Sequence, residues 1–207
     1  TYTVLLNDAS ELPVVTLTPT SNAGCIAGLY TGSVTASITY QGAPANPADY
    51  TFNWTGPAGF VDADLATPEI LDDIQDGAYT LTVTNTALGC TSLVANTTVT
   101  YVPNVITITD TNTPSTNCIP DTNPNGEIVA ATWVDLDGDT VLDAGTEDDP
   151  SLFSFQWYTG AAVDAANIIA GETSQTISNI QGGAARNYTL EATHLASGCT
   201  QTYTVLL

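Results

Sequence analysis

The 207-residue chain has no lysine and no methionine, one histidine (His194) and one arginine (Arg186). Against that single strong cation stand 22 Asp and Glu residues, for a formal net charge of −21. Each absence removes a class of function. Nucleic-acid binding draws on Lys and Arg to displace phosphate counterions, so no nucleic acid is expected as a partner. Docking on an anionic membrane surface fails for the same reason. Without lysine there can be no Lys–Asn isopeptide cross-link, no Schiff base and no P-loop. No run approaches the roughly 20 apolar residues of a membrane-spanning helix, so no direct membrane insertion is expected.

What is present points to a folded β protein. Hydrophobic residues make up 43% of the chain, including three Trp, nine Tyr and four Phe, enough to fill real cores. Thr occurs 36 times. β-Branched side chains lose freedom in a helix and pack well on a pleated sheet, so this bias favours extended backbone. The chain begins without Met and without a signal-type segment, and reads as an excerpt from a longer, processed chain.

An internal repeat organises it. TPTSNAGCI, YTFNWTG and IQDGAYTLTVTNTALGCTS in the first half correspond to TPSTNCI, FSFQWYTG and IQGGAARNYTLEATHLASGCTQ in the second. Two copies of one fold are therefore expected, residues 7–101 and 102–207. In each, apolar residues recur with period two: Tyr79, Leu81 and Val83 alternate with Thr, as do Tyr188, Leu190 and Ala192 with Thr or Glu. Strands are predicted at about 13–18, 31–40, 49–55, 67–71, 78–85 and 92–101, and again at about 104–110, 126–134, 152–158, 174–180, 186–193 and 200–207. Six or so short strands per hundred residues predict an all-β fold of two tandem immunoglobulin-like β-sandwich domains. Trp54 and Trp157 fall on the third strand of each, where a core tryptophan belongs. Residues 161–170 carry the best helical pattern but are short and uncapped.

TYTVLL occurs at both 1–6 and 202–207, an offset of 201 residues. Residues 1–6 then read as the last strand of a preceding unit, and the chain as one period of a tandem array. Neighbouring repeats of the same chain or filament are its expected partners.

Cys25, Cys90, Cys118 and Cys199 place one cysteine near the start and one near the end of each copy. Four cysteines allow three pairings; repeat symmetry favours one bridge within each copy, Cys25–Cys90 and Cys118–Cys199. The absence of any C-x-x-C pair argues against a thiolate metal site. Disulfides place the chain in an oxidising, extracytoplasmic compartment.

The second copy is longer between its cysteines by 16 residues, and the surplus lies in an acidic insert, 135–149. Asp135, Asp137 and Asp139 alternate around Gly138, Asp143 follows after four, and Glu147 and Asp148 come next. Hard cations such as Ca2+ take 6–8 oxygen ligands, and alternating Asp about a glycine turn supplies them from a short loop. The expected Ca2+ ligands are Asp135, Asp137, Asp139 and Asp143, closed by Glu147 or Asp148 and a carbonyl near Val141. The segment resembles the D-x-D-G-D-x-x-x-D loops of bacterial calcium-stiffened surface repeats. It is also similar to the W-x-D-x-x-G-D-x-x-x-D-x-G-E segments of staphylococcal-type B repeats, with Thr146 as one extra residue. A second acidic set, Asp62, Asp64, Glu69, Asp72, Asp73 and Asp76, lacks ligand spacing and reads as a solvated edge.

No catalytic constellation emerges. His194 sits in the polar turn THLASGCT with no nucleophile signature, and reads as an exposed turn histidine. The chain is expected not to be an enzyme.

The run W-x-G, then L-x-x-I-x-x-G-x-Y-T-L-T-V-T-N-x-x-x-G-C-T resembles the SprB-type repeat of giant cell-surface proteins of gliding Bacteroidetes. It covers about Tyr50–Thr91 closely and Phe153–Thr200 more loosely; the second copy departs at Arg186-Asn187 and Glu191-Ala192-Thr193. The resemblance implies an extracellular, cell-surface adhesin or filament, exported by type IX secretion and used in gliding motility and attachment. The alternative is a carbohydrate-binding module that meets surface polysaccharide through Tyr30, Phe60 or Tyr158.

Overall fold

The structure is a computed structural model and describes residues 11–61, 66–117, 122–138, 140–182 and 186–207. The expected terminal strand 1–6 lies outside the described residues. The chain divides into two compact units. The first comprises residues 11–23 and Tyr30–Val102; the second comprises Gly24–Leu29 and Pro103–Leu207. A purely sequential division at 101/102 therefore misses one short excursion, Gly24–Leu29.

In the first unit β1 (Val14–Thr20), β2 (Gly32–Tyr40), β3 (Ala43–Pro44) and β5 (Ile70–Ile74) form one antiparallel sheet around β2. Strands β4 (Tyr50–Thr55), β6 (Gly77–Asn85) and β7 (Ala95–Val99) form the other. The second unit repeats this plan. β8 (Val105–Thr113), β9 (Gly126–Asp135) and β11 (Thr176–Ile180) make one sheet, and β10 (Phe153–Thr159), β12 (Asn187–His194) and β13 (Thr200–Leu206) the other. Both units are thus all-β sandwiches of the immunoglobulin-like kind. The 161–170 pattern contributes only a short turn of 3-10 helix at Ala165–Asn167.

Alternation decides which side chains fill each sandwich. Val34, Ala36 and Ile38 of β2 turn inward onto Trp54, Tyr79, Leu81 and Val83 from the opposite sheet. In the second unit Ile128, Ala130 and Val134 of β9 meet Trp157, Tyr188, Leu190 and Ala192. Burial of each large apolar side chain contributes about 1.5–3 kcal/mol. Both tryptophans also satisfy their one donor: Trp54 Nε1 donates to the Pro68 carbonyl and Trp157 Nε1 to the Ser174 carbonyl, each at 2.9 Å. The repeat extends to irregularities. Asp73 (φ 53°) and Asn179 (φ 56°) occupy the same place in β5 and β11, where each strand's register against its neighbour shifts.

Gly32 and Gly126 open β2 and β9, where the backbone of the neighbouring strand comes close. A Cβ on Gly32 would lie 2.6 Å from the Ile74 carbonyl oxygen, and one on Gly126 2.7 Å from that of Ile180. No other residue fits there without moving a strand.

One core position differs between the copies. Thr132 of β9 stands where β2 has Ile38, is buried, and its Oγ1 has no hydrogen-bond partner among the described residues. An unpaired buried hydroxyl costs more than an apolar group of the same shape. Thr132→Val is therefore expected to raise the stability of the second unit by about 1 kcal/mol, read as a higher urea midpoint at unchanged slope.

Candidate functional sites in the second unit

The acidic insert leaves the sheet at the end of β9. Asp135 is buried, and the chain then turns through Gly138 (φ 83°) and Thr140 (φ 64°), both left-handed. Asp135 holds this turn: Oδ1 accepts the Gly138 N–H at 2.7 Å and Oδ2 the Thr140 N–H at 3.2 Å. Glu147 closes the loop from the other side and is 2% exposed. Its Oε1 accepts the Leu136 N–H at 2.7 Å and its Oε2 the Asp143 N–H at 3.0 Å, while its carbonyl accepts from Val134 N–H. The folding of the loop thus drives a carboxylate inward against another carboxylate.

Oxygens of Asp135, Asp137 and Glu147 all lie within 4.8 Å of one another. Three hard-oxygen donors so disposed can hold a metal ion, and backbone carbonyls or water would complete its shell. Of the six ligands expected from sequence, these three converge. Asp139 lies outside the described residues. Asp143 and Asp148 are not in the convergent set. Asp143 uses its backbone, accepting from Thr146 and Glu147 N–H groups at 3.1 Å, and Asp148 Oδ1 accepts the Gly145 N–H at 2.6 Å. Asp149 caps the following short turn, and its bond from Ser151 N–H holds its carboxyl below the usual range.

The cystine corrects the sequence reading. Cys25 is bonded to Cys199, with Cα atoms 4.9 Å apart, and not to Cys90; Cys199 is therefore not available to Cys118. Cys90 is a free, partly buried thiol, and Cys118 lies outside the described residues. The cause is the excursion Gly24–Leu29. Asn22 and Thr31 close its neck: Thr31 N–H donates to Asn22 Oδ1 at 3.0 Å and Ala23 N–H to Thr31 Oγ1 at 2.7 Å. Gly24–Leu29 pack with the second unit, where Cys25 N–H donates to the Ser197 carbonyl at 2.7 Å. A disulfide is the chemistry of an oxidising compartment. Among the described residues no helix is long and apolar enough to cross a membrane.

His194 is also corrected: it is buried, not exposed. It ends β12 with Nδ1 2.8 Å from Ser197 Oγ and its ring 5.8 Å from that of Phe153. Both His194 and Ser197 are sealed under the surface, so the pair fastens a turn and meets no solvent-borne substrate. Desolvation lowers the His194 pKa from its ordinary value. The unfolded chain therefore takes up the proton first, and stability present above about pH 6.5 is lost as pH falls through that value. The first copy has Asn85 at this place. His194→Asn is expected to flatten the fall in melting temperature between about pH 6.5 and 5, measured calorimetrically on the second unit's transition.

Of the aromatics expected to meet glycans, Tyr158 is buried, its hydroxyl donating to Glu191 Oε2 at 2.9 Å. Tyr30 and Phe60 are half-buried and line a groove of about 690 Å3 in the first unit with Leu71, Asp72 and Gln75.

No family model matches the chain, and no curated protein matches it. Among solved structures it is similar to the three N-terminal domains of the Highly Immunogenic Outer Capsid protein (Hoc) of bacteriophage RB49. Identity is 17% and the TM-score 0.43, over 94% of this chain and 59% of that one. The chain thus spans little more than half the length of that structure.

Proposed function

We propose that the chain is a non-catalytic repeat unit of an extracellular, cell-surface adhesin or filament of the SprB kind. In this reading it is one period of a load-bearing stalk, with Ca2+ in the acidic insert of the second unit. The observation that carries the proposal is duplication at the level of detail. Both units share strand plan, bulge position, tryptophan clasp and glycine approach, and TYTVLL recurs within the chain at an offset of 201 residues. A scaffold that repeats its core and varies only loops suits spacing better than chemistry. Ca2+ fits Asp135, Asp137 and Glu147 as an all-oxygen set. The charge of −21 per chain keeps neighbouring arrays apart laterally, while a Debye length of about 10 Å or less at physiological salt still allows domains to meet end to end.

Electron microscopy of the native surface assembly tests the stalk. One axial period per 201 residues is the expected result; a globular, non-repeating particle overturns it. The groove lined by Tyr30 and Phe60 favours the second reading, a carbohydrate-binding module. Titration of the two-unit chain with polysaccharide fragments would reveal it as heat that Phe60→Ala abolishes.

A further inference from the structure

The two units end their penultimate strands in the same hairpin. Asn85 N–H donates to the Cys90 carbonyl at 2.9 Å in the first, and His194 N–H to the Cys199 carbonyl at 2.8 Å in the second. Each hairpin is also tied to the short turn that precedes β4 or β10. Thr86 N–H donates to the Asp49 carbonyl at 2.9 Å, and Leu195 N–H to the Leu152 carbonyl at 2.8 Å. The two corners thus match in backbone hydrogen bonds but not in side chains.

In the second unit the corner is satisfied from within. Phe153 stands opposite His194 in the register of β10 and β12, with their rings 5.8 Å apart. His194 is 3% exposed, and its Nδ1 is paired with Ser197 Oγ at 2.8 Å. Leu152, beside Phe153, packs on the core.

In the first unit the same three places carry Asp49, Tyr50 and Asn85, and Tyr50 stands opposite Asn85 in the register of β4 and β6. All three line a cavity of about 580 Å3, together with Tyr40, Pro44 and Leu88. That volume is within the usual range of small-molecule sites. Tyr50 is 7% and Asn85 9% exposed. Asn85 Oδ1 accepts the Ala87 and Leu88 N–H groups, at 3.1 and 2.9 Å, which fixes the amide. Its NH2 group, and the Tyr50 hydroxyl, have no partner among the described residues. Neither is walled in as Thr132 Oγ1 is, so both open to the cavity. Buried polar groups are paired as a rule. The fold closes this corner without them in the second unit, so the polar set is not needed to build it.

We infer that this cavity is a binding site for a neutral sugar ring, held by Asp49, Tyr50 and Asn85. The ligand class follows from the donors and acceptors. The Asn85 amide offers two N–H donors, the Asp49 carboxylate only accepts, and the Tyr50 hydroxyl does either. A ligand that meets all three must donate and accept from neighbouring atoms, as the hydroxyls of a sugar do. Tyr40, Pro44 and Leu88 supply apolar surface for the C–H face of the ring. No cationic side chain is among the lining residues and the chain carries −21, which disfavours an acidic sugar or a phosphate. A bare cation would leave the Asn85 donors unused. The ligand class is that of the carbohydrate reading above, but the residues are not those of the Tyr30 and Phe60 groove, so the two fail separately. A stalk unit can carry this site, and electron microscopy of the array does not bear on it.

The test titrates the nitrogen-labelled chain with glucose, galactose, mannose, xylose and N-acetylglucosamine to high millimolar concentration, followed by proton–nitrogen correlation NMR. The expected result is that at least one sugar saturably shifts the Asn85 side-chain NH2 pair and the Thr86–Leu88 amides. Tyr50→Phe is expected to weaken that binding by about tenfold, the loss of one hydrogen bond. It keeps the fold, because Phe153 fills the same place in the second unit. Asp49→Asn should weaken binding too, and Phe60→Ala should not. No saturable shift of the Asn85 NH2 pair with any of these sugars would mean a cavity that holds water only, and would overturn the inference. So would undiminished binding by Tyr50→Phe, or loss of binding in Phe60→Ala. Equal shifts with choline chloride in place of sugar would make it a cation site and overturn it as well.

Discussion

Replacing Trp157 by alanine is expected to lower the stability of the second unit by about 3–5 kcal/mol. The indole is fully buried between the two sheets. Its loss removes the transfer free energy of the largest core side chain and leaves a cavity that rigid strands close only in part. The Ser174 carbonyl, which accepts the indole N–H at 2.9 Å, also loses its donor. Calorimetry of the whole chain should show the second unit's transition falling by roughly 15 °C or more, with the first unit's nearly unmoved. Trp54→Ala should invert the pattern, because Trp54 makes the corresponding bond in the other sandwich. Equal depression of both transitions by either substitution would mean that the units do not melt on separate cores.

Glu147→Gln is expected to have two separable effects. The carboxylate receives two backbone N–H groups, from Leu136 and Asp143, one on each oxygen. An amide can accept only one and turns its own N–H groups toward the other donor. Hydrogen bonds to a charged group contribute about 1.5–3 kcal/mol each, so a loss of about 2–3 kcal/mol follows without any added cation. The second effect is on Ca2+. Ligand at a hundredfold excess over its dissociation constant stabilises the folded state by about 2.7 kcal/mol, and the wild-type chain should gain such a shift in millimolar Ca2+. Glu147→Gln should lose most of it. Asp137→Asn separates the two effects, because Asp137 is exposed and stands in the same convergent set. It should remove the Ca2+-dependent shift while leaving stability in chelator within about 0.5 kcal/mol of wild type. A full Ca2+ shift in Asp137→Asn would exclude this set as the site.

How much of this is legible in sequence depends on the range of the interaction. The strands are local: Tyr79-Thr-Leu-Thr-Val and Tyr188-Thr-Leu-Glu-Ala each announce a period of two, and β6 and β12 lie where that period places them. The core tryptophans follow from the same alternation on β4 and β10, the strands that pair with β6 and β12. The acidic insert is half legible. Asp135 and Asp137 keep one side of a turn that Gly138 makes possible, and Glu147 returns to them because the loop closes onto β9. Nothing in the spacing separates Glu147 from Asp143 or Asp148. They part in the fold: Glu147 brings a carboxylate oxygen within 4.8 Å of Asp135 and Asp137, while the Asp148 carboxylate accepts the Gly145 N–H. His194 misleads for a related reason. Polar neighbours in THLASGCT suggest solvent, but the ring is the last inward position of β12 and packs on Phe153.

By itself, then, the sequence determined what depends on periodicity and composition. These are two β-sandwiches, the approximate positions of most of their strands, an oxygen-rich loop, and the exclusion of every function that needs lysine. Tertiary structure alone decided which cysteine meets which. A disulfide requires Cα atoms within about 4.4–6.8 Å. The repeat places Cys25 equally well for its own copy or for the next, because identical hairpins carry Cys90 and Cys199. The choice turns on where six residues, Gly24–Leu29, find a surface to pack on, and they pack with the second unit.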